Sequence, residues 1–487
     1  MAAKMVGEAL LGSVKFVGEA LVGSAVEMLL GRLGSQDFID FFRGRKHDEG
    51  LLKKLELTLL ELKKVLNDAE DRQLTDPVVR QLVASLPRTT SIRELVLKEC
   101  QGVQLEWQGV SCVEELKMSG FESLKEFASK LVTLTSLKKL GVSKCSILSL
   151  PEIGFPLKLT SLSVKDCGAM QCFPGGMMCL MNLEELWVEG CPELVLPLPE
   201  ETSHCNMSLE SLCLYCCESL KSLPLGLFPK LQHLSIFNCI NFETLLIPHG
   251  IENQNLKLLE HLYIGYCNNM VSFPCGGIPA PQLSDLTILG CKKLKALPEQ
   301  MHTLLPSLQS LQLWYCPEIG SLPEGGLPSK LCRLSIKDCE KLVGDRRNWG
   351  LQRLPSLREL SLSDEVVESF PEEGLLPPTL TSLNFSCMSN LTSLNGRGLQ
   401  LLVSLKKMNI FYCFKLQSLP EEGLPTSLCS LGISFCPLLS PRCRREGGED
   451  WHKVAHVPLI VTDVEAIFDK VSLGKMSPWD FDLISAI

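Results

Sequence analysis

The sequence has no surplus of positive charge. Its 47 lysine and arginine residues are outnumbered by 56 aspartate and glutamate residues, which gives a formal net charge of −9 over 487 residues. Binding to a nucleic-acid backbone depends on a surface rich in lysine and arginine. The composition therefore disfavours DNA or RNA as the main partner, and we expect no nucleic-acid binding.

Long uncharged apolar runs are also missing. Residues 6–30 are largely apolar, but Glu8, Lys15, Glu19 and Glu27 interrupt them. They contain neither an 18-residue uncharged span nor the apolar centre of a secretory signal. We therefore expect a cytoplasmic protein. Association with the plasma membrane is a weaker alternative, because this stretch has a broad apolar face and few charges.

Recognisable catalytic and nucleotide-binding motifs are absent. No serine has a G-x-S-x-G context, and the eight histidines are scattered. The closest match to a G-x-x-x-x-G-K-[ST] loop is Gly474-Lys475, but Met476 follows the lysine and Asp469 stands where the first glycine should be. Such a loop aims backbone N–H groups at phosphates. We expect no enzymatic activity and no cofactor.

What the sequence has instead is a repeat. The pattern L-x-L-x-x-C, as in Leu311-Gln-Leu313-Trp-Tyr-Cys316, returns along the chain. Its last position, here called the anchor, recurs at intervals of 21 to 28 residues, inside the window of roughly 20 to 29 residues typical of leucine-rich repeats. Twelve of the fifteen anchors are cysteine, and the full set is Cys100, Phe121, Cys145, Cys167, Cys191, Cys217, Cys239, Cys267, Cys291, Cys316, Cys339, Glu365, Met388, Cys413 and Cys436.

The spacing of the leucines predicts one short strand in each unit. In L-x-L both apolar side chains fall on one face of an extended segment, and the residue between them falls on the other. Stacked units pair such strands in parallel and merge their leucines into one core. Return segments such as Leu294-Lys-Ala-Leu297-Pro298 carry a proline that excludes a helix. We therefore predict an irregular horseshoe, with a parallel sheet on its concave face and few convex helices.

The chain has 23 cysteines, most of them at the anchors. A small apolar side chain with a weak S–H donor suits a turn beneath a sheet, so we expect these thiols to be structural and reduced, as in a reducing compartment. Cys213 and Cys216, near His204 and Cys205, form one half of a zinc-binding pattern. That is too little to predict a metal site.

Before the repeats, residues 1–84 have the periodicity of helices. An eight-residue motif beginning at Val6 returns at Val17, and this offset of eleven residues keeps the apolar positions on one helix face. A second helix is predicted from about Asp48 to Ala69. We therefore expect an α+β chain in three parts: a short amphipathic helical segment at 1–84, a leucine-rich-repeat domain of about 15 repeats at 85–445, and a tail at 446–487 that covers the open end of the core.

Stretches near both ends carry a family resemblance. Asp37-Phe-Ile-Asp-Phe-Phe-Arg-Gly-Arg45 and Val65-Leu-Asn-Asp-Ala-Glu-Asp-Arg-Gln73 resemble the Rx-type coiled-coil domain of plant intracellular immune receptors, the nucleotide-binding leucine-rich-repeat family. Gly448-Glu-Asp-Trp451-His-Lys-Val-Ala-His456 is similar to the carboxyl end of the same family. The resemblance implies repeats that recognise a pathogen-derived or guarded host protein, and helices that signal or dock partners such as full-length receptors. The family's nucleotide-binding domain is missing between the two parts, so the ATP or ADP site is not expected here.

Strand positions that point away from the core are the candidate binding residues. Six of them hold large aromatic side chains among serine, lysine, glutamate and asparagine, which is typical of interface anchors. The alternative is that exposed aromatics are tolerated there for their β propensity. The six residues are Trp187, Tyr215, Phe237, Tyr263, Trp314 and Phe411, and His233 and His261 are predicted on the same face.

Two other functions stay open at this level. The chain could be a repeat-based interaction adaptor, or a decoy or regulator of full-length receptors without signalling of its own. Residues 6–30 could instead act on membranes as an amphipathic helix. An adaptor, decoy or regulator would bind through the repeats but would not signal. A membrane-active protein would act through residues 6–30.

Overall fold

The computed structural model of the chain describes residues 93–98, 112–120, 131, 133–145, 156–168, 182–195, 208–247, 256–363, 367–463 and 466–468. The predicted helical segment at 1–84 lies outside the described residues. So do the anchors Cys100, Phe121 and Glu365. Residues 91–97 and 110–487 group into one compact unit.

Seventeen described strands form one sheet that follows the order of the chain. Successive strands from β2 to β20 pair in parallel, and β21 lies antiparallel to β20. Equivalent repeat positions stand side by side, as Leu311 and Leu334 do. The strands are β1 Glu94–Lys98, β2 Glu115–Ser119, β3 Lys139–Ser143, β4 Ser161–Lys165, β5 Glu185–Glu189, β6 Ser211–Tyr215, β8 His233–Phe237, β10 His261–Gly265, β11 Asp285–Leu289, β12 Ser310–Trp314, β13 Arg333–Lys337, β14 Glu359–Ser363, β16 Ser382–Ser386, β18 Lys407–Phe411, β19 Ser430–Ser434, β20 Leu459–Thr462 and β21 Ala466–Phe468.

The core lies directly beneath this sheet. Both leucines of each L-x-L motif point into it, and Leu311 and Leu313 are completely buried. Burying a leucine side chain stabilises the fold by about 1.5 to 3 kcal/mol, and the same two positions are buried in strand after strand. The predicted solenoid with one continuous core and a parallel sheet is confirmed.

Where the structure describes it, the side of the solenoid opposite the sheet consists of turns and very short elements. Four α-helices of four or five residues are described, together with four 3₁₀ turns and two small parallel ribbons. The prediction of few helices on this side is confirmed. The elements are α1 Met301–Leu304, α2 Glu340–Gly344, α3 Gly396–Gln400 and α4 Trp451–Val454, the 3₁₀ turns Leu225–Leu227, Arg346–Asn348, Leu351–Arg353 and Ser440–Cys443, and the ribbons β7 Ser222–Pro224 with β9 Thr244–Leu246 and β15 Ser369–Phe370 with β17 Ser393–Leu394. None of these helices has both the length and the apolarity that crossing a bilayer requires.

The anchor cysteines form a ladder of thiols beneath the end of each strand. Every described anchor cysteine is buried and unbridged. Each thiol bonds to the carbonyl two residues earlier, and several also reach the preceding unit, as Cys339 Sγ does at 3.4 Å from Leu313 O. Burial raises the pKa of the Cys291 thiol to about 12, so this thiol stays protonated at neutral pH. These cysteines close the turns, which is the structural role that the sequence predicts.

The residue before each anchor adopts a left-handed backbone conformation. Its φ lies near +50° to +75° in every described unit, and it is glycine in only three of them. A side chain in this region costs roughly 1 to 2 kcal/mol. The backbone N–H at this position bonds to the next strand, as from Tyr315 N to Lys337 O at 2.7 Å, which offsets part of that cost. In the described units where this residue is not glycine, the turn therefore projects its side chain from the end of the strand.

The described part of the tail covers the last repeat and also extends the sheet. The strand β20 pairs with β19, and Val457 and Ile460 are buried. Beneath them, Asp450 and Lys453 are almost completely buried and lie 3.2 Å apart. The predicted cap is thus more than a cover, because it adds a strand that the repeat pattern does not contain.

Candidate functional site

The first, third and fifth residues of each five-residue strand lie on the side of the sheet away from the core, and in most strands they are exposed or half-buried. The pattern is regular in β6, where Ser211, Cys213 and Tyr215 are half-buried and the two leucines between them are buried. The solvent-facing side of the seventeen-stranded sheet is here called the concave face. All six aromatic residues that the sequence singles out lie on it.

Four of those six aromatics form one contiguous group in the middle of the sheet. The rings of Trp187 and Tyr215 stack with centroids 4.6 Å apart and an angle of 8° between planes. Tyr215 is 5.7 Å from Phe237, and Phe237 is 6.0 Å from Tyr263. Tyr266 joins edge-on, 5.2 Å from Phe237. These five residues, Trp187, Tyr215, Phe237, Tyr263 and Tyr266, are called the aromatic cluster.

Two glycines make room for the rings of the aromatic cluster. A Cβ added at Gly265 would stand 2.7 Å from Cδ2 of Phe237 and 3.1 Å from Oη of Tyr263. A Cβ at Gly290 would stand 2.7 Å from Cδ1 of Tyr266. Real Cβ atoms do not approach other atoms at 2.7 Å, so any larger residue at these positions would displace the rings.

The polar groups of Trp187 and Tyr215 are bonded within the protein. Tyr215 Oη and Ser235 Oγ lie 2.9 Å apart, and Trp187 Nε1 donates to Glu189 at 3.3 Å. Burial raises the pKa of the Tyr263 phenol, which stays neutral. The cluster therefore offers apolar ring faces to a partner, and those of Trp187 and Tyr266 remain 40% and 38% exposed.

The other two predicted residues are not part of this group of contacting rings, although Trp314 lines the same depression as Tyr266. Trp314 donates from Nε1 to Ser335 Oγ at 2.9 Å, and it borders a depression of about 410 Å³ that Tyr315 and Lys337 also line. The Lys337 ammonium sits 5.0 Å from the centre of the Tyr315 ring. Phe411 is on β18, far along the sheet. The structure thus joins four of the six predicted residues and separates two.

Sequence reasoning missed a second set of aromatics at the edge of the sheet. They occupy the left-handed position before the anchor and are 38% to 55% exposed. At one end of this row, Tyr412 and Phe435 stack with centroids 4.5 Å apart. The signal was present, since each directly precedes an anchor of the repeat. The set is Tyr266, Tyr315, Tyr412 and Phe435.

Small polar residues occupy the third position of the strands β13, β14, β16 and β18, beyond Trp314. Asn384 donates to Ser361 Oγ at 3.1 Å, and Asn409 donates to Asn384 Oδ1 at 2.7 Å. Asn409 is only 5% exposed. These side chains, with Ser335, are called the polar zone, and they bond mainly to one another.

Charged pairs cover the face before the aromatic cluster. Lys117 lies 2.9 Å from both Glu94 and Glu115, and Lys165 lies 2.9 Å from Glu189. Exposed pairs of this kind contribute little to stability. They give the first strands a hydrated surface of mixed sign, which ends where Trp187 begins the aromatic cluster.

The described cysteines near the half pattern for zinc point in different directions. Cys213 faces the concave side, whereas Cys217 is buried beneath the sheet as an anchor. Cys216 occupies the left-handed turn between them. His204 and Cys205 lie outside the described residues.

Sequence comparison identifies relatives among plant disease resistance proteins. The chain is 37% identical over 360 residues to At3g14460 of Arabidopsis thaliana, a protein named for disease resistance, and this match covers 72% of the chain and 24% of the relative. It is 26% identical over 334 residues to disease resistance protein RPP4 of the same plant, covering 67% of the chain and 27% of the relative. The chain therefore spans about a quarter of the length of these relatives.

Solved structures also match the chain, at lower sequence identity than the relatives above. The protein LIC12759 of Leptospira interrogans has 20% identity and a TM-score of 0.43, over 72% of this chain and 96% of that one. YopM of Yersinia enterocolitica has 18% identity and a TM-score of 0.29, over 67% of this chain and 70% of that one.

No protein-family model matches the chain. The match to At3g14460 is far longer than the 84 residues that precede the repeats, so most of it falls on the repeats. By sequence, the leucine-rich repeats of this chain are similar to part of these plant disease resistance proteins.

Proposed function

We propose that this chain is a non-catalytic recognition protein of plant defence, which binds a pathogen-derived protein or a guarded host protein on its concave face. The observation that carries the proposal is the aromatic cluster. Its rings form an unbroken apolar surface across β5, β6, β8 and β10, and most of the remaining exposed residues on the face are charged or polar. Large aromatic residues are over-represented among the few side chains that dominate the energy of protein interfaces.

The surroundings of the cluster favour a protein partner over a small molecule. The cluster is a row of ring faces that runs across parallel strands, and the depression beside it, lined by Tyr266 and Trp314, is open to solvent, whereas small-ligand sites generally enclose most of the ligand. The charged pairs on one side and the polar zone on the other supply the polar rim that interfaces place around an apolar centre. The kinship with disease resistance proteins supports defence as the setting.

Nucleotide binding is not part of the proposed function. The phosphate-binding loop expected of the receptor family is missing from the sequence. Binding of a partner, without ATP or ADP, is the activity we assign. Docking to full-length receptors through residues 1–84 stays a prediction from the resemblance.

A capture experiment with matched variants tests the proposal. The full chain is immobilised and exposed to leaf extracts from infected and healthy plants, in parallel with a variant that carries alanine at Trp187, Tyr215, Phe237 and Tyr263. The control variant replaces two exposed residues outside the strands, Leu157 and Val403, by alanine. We expect a defined protein to be retained by the wild type and the control and lost from the aromatic variant. Equal retention by all three would contradict binding at the cluster.

A further inference from the structure

We propose that His233, Glu260 and His261 bind one divalent transition-metal ion of the Zn²⁺ class on the concave face. Each residue offers a ligand atom, and the three atoms lie within 4.8 Å of one another. Among the described residues, these three form the one group of histidine, cysteine or carboxylate side chains whose ligand atoms are close enough to share a metal ion. Two imidazoles and one carboxylate are a donor set that suits zinc and its neighbours in the periodic table.

The register of the sheet brings the two histidines together. His233 begins β8 and His261 begins β10, and the two residues are direct partners across the parallel pair. Their rings stack with centroids 4.7 Å apart and an angle of 11° between planes. In the sequence they are 28 residues apart, so the pair exists only because the repeats place equivalent positions side by side.

The backbone beneath the three ligands is rigid. The N–H groups of Glu260 and His261 both donate to Gln232 O, at 2.8 and 3.0 Å, and His233 N donates to Glu210 O at 2.9 Å. The carbonyl of Glu260 in turn accepts a bond from Ser284 N at 2.8 Å. Metal sites built on strands hold their ligands more precisely than sites on loops.

A second carboxylate orients one of the imidazoles. Asp285 Oδ2 lies 3.3 Å from His261 Nδ1, and the same oxygen accepts from Ser284 Oγ at 2.6 Å. A histidine that donates its Nδ1–H to a carboxylate keeps the lone pair of Nε2 for a metal, and the contact fixes the orientation of the ring. Asp285 is thus the orienting partner that metal-binding histidines generally have.

Small side-chain rotations complete the geometry. Zinc binds nitrogen and oxygen at about 2.0 to 2.2 Å, which places neighbouring ligand atoms about 3.4 Å apart in a tetrahedron. Both histidines are exposed and Glu260 is half-buried, so their side chains can close from the present spacing without movement of the strands. With three protein ligands, the fourth position faces solvent on the concave side, two residues along β10 from Tyr263.

Titration of the full chain with Co²⁺ tests the site. Cobalt gives visible bands on nitrogen and oxygen ligands, and it adds a strong near-ultraviolet charge-transfer band only when a thiolate binds. This difference matters because Cys112, Cys275 and Cys429 are exposed thiols. We expect the wild type to bind one Co²⁺ with visible bands alone, and Zn²⁺ to displace it.

The variants decide between this site and other ligands. His233→Asn with His261→Asn should abolish the bands, and Asp285→Asn should weaken binding by about 10- to 100-fold, as removal of an orienting carboxylate does at other metal sites. His452→Asn, at an exposed histidine of α4, should leave the titration unchanged. Bands that persist in the double variant, a thiolate band on the one ion bound, or no saturable binding by the wild type would each overturn the proposal. Circular dichroism of each variant confirms that it is folded.

Discussion

The middle and the C-terminal part of the sheet share the same strand geometry, but the side chains on their concave face differ in chemical character. Between β5 and β10, the aromatic cluster exposes apolar rings and directs few polar atoms at solvent. From β13 to β18, the polar zone consists of small side chains that bond to one another. Strands of the same geometry therefore display two kinds of surface. We interpret the first as a surface for a partner and the second as a surface that supports the sheet.

The tail extends the supporting role of the C-terminal part. Asp450 accepts from Leu419 N at 3.0 Å and from Arg442 Nε at 3.2 Å, in addition to its contact with Lys453. Lys453 also donates to Leu419 O at 3.0 Å. These bonds tie the tail to the return segment of the last complete repeats. The motif around Trp451, which carries part of the family resemblance, therefore stabilises the C-terminal end of the repeats. Asp450 and Lys453, with their partners Arg442 and Leu419, are here called the lock.

The largest expected effect is at this lock. Replacing Asp450 by alanine removes the buried carboxylate 3.2 Å from the Lys453 ammonium and leaves that ammonium with the exposed Glu421 at 2.9 Å. Breaking a buried ion pair costs about 3 to 5 kcal/mol, and the remaining carboxylate places this loss toward the lower end. We expect a clear fall in the thermal midpoint, with hydrogen exchange accelerated in β18 to β20 but not in β5 to β10. Uniform acceleration along the sheet would show that the two parts do not differ in the way described.

The lock should also be sensitive to acid. Burial raises the pKa of Asp450, but bonds from Arg442, from the Leu419 N–H and from Lys453 outweigh it and hold the pKa below its usual value. A carboxyl with a lowered folded-state pKa contributes stability above its unfolded pKa of about 4, and this contribution is lost as the pH falls through the lower, folded value. Between neutral pH and about pH 2, the free energy of unfolding should therefore fall further in the wild type than in Asp450→Asn, which lacks this titrating carboxyl. Parallel pH profiles would refute the assignment.

A glycine substitution should disturb the aromatic cluster next most strongly. Gly265→Ala places a methyl group against Phe237, and overpacking of this kind costs about 1 to 3 kcal/mol. Gly141→Ala is the matched control on β3, because its new methyl would meet Lys117 Cγ at 3.4 Å, an ordinary contact. We expect a lower thermal midpoint and altered near-ultraviolet circular dichroism for the first and neither change for the second. The same outcome for both would mean that Gly265 does not shape the cluster.

A smaller effect is expected inside the polar zone. Asn409→Ala removes the donor to Asn384 Oδ1, and leaving such a half-buried group unpaired costs about 1 to 3 kcal/mol, toward the lower end where water can reach it. The thermal midpoint should fall slightly while partner binding stays unchanged. Weakened binding without a loss of stability would give this zone the role that we assign to the aromatic cluster.

The repeat spacing was sufficient to predict the sheet, the buried leucines and the anchor cysteines. Each of these follows from a local rule that acts in every unit, such as the alternation of faces in L-x-L. The four neighbouring aromatics were also found, because Trp187, Tyr215, Phe237 and Tyr263 come from four successive units.

Features that depend on two or more units together were harder to predict. The left-handed turn that exposes Tyr266 and Tyr412 cannot be predicted from residue type, since bulky residues normally avoid that conformation; only the position directly before an anchor marks these residues. The contact between His233 and His261 requires the exact pairing of two strands. The strand β20 lies outside the repeat pattern, so the tail could be predicted to cover the core but not to extend the sheet.

A crossed comparison of two fourfold alanine variants tests the division of the concave face most directly. One variant replaces Trp187, Tyr215, Phe237 and Tyr263, and the other replaces Ser335, Ser361, Asn384 and Asn409. For each, the affinity for a protein captured by the wild type and the thermal midpoint are measured together. Loss of the aromatic anchors should weaken binding by at least about 30-fold, since each hot-spot residue contributes roughly 2 kcal/mol or more, and the ring pairs add only about 0.5 to 1.5 kcal/mol each to stability. The polar variant should lose stability and keep its affinity, whereas equal losses of affinity in both variants would contradict the account.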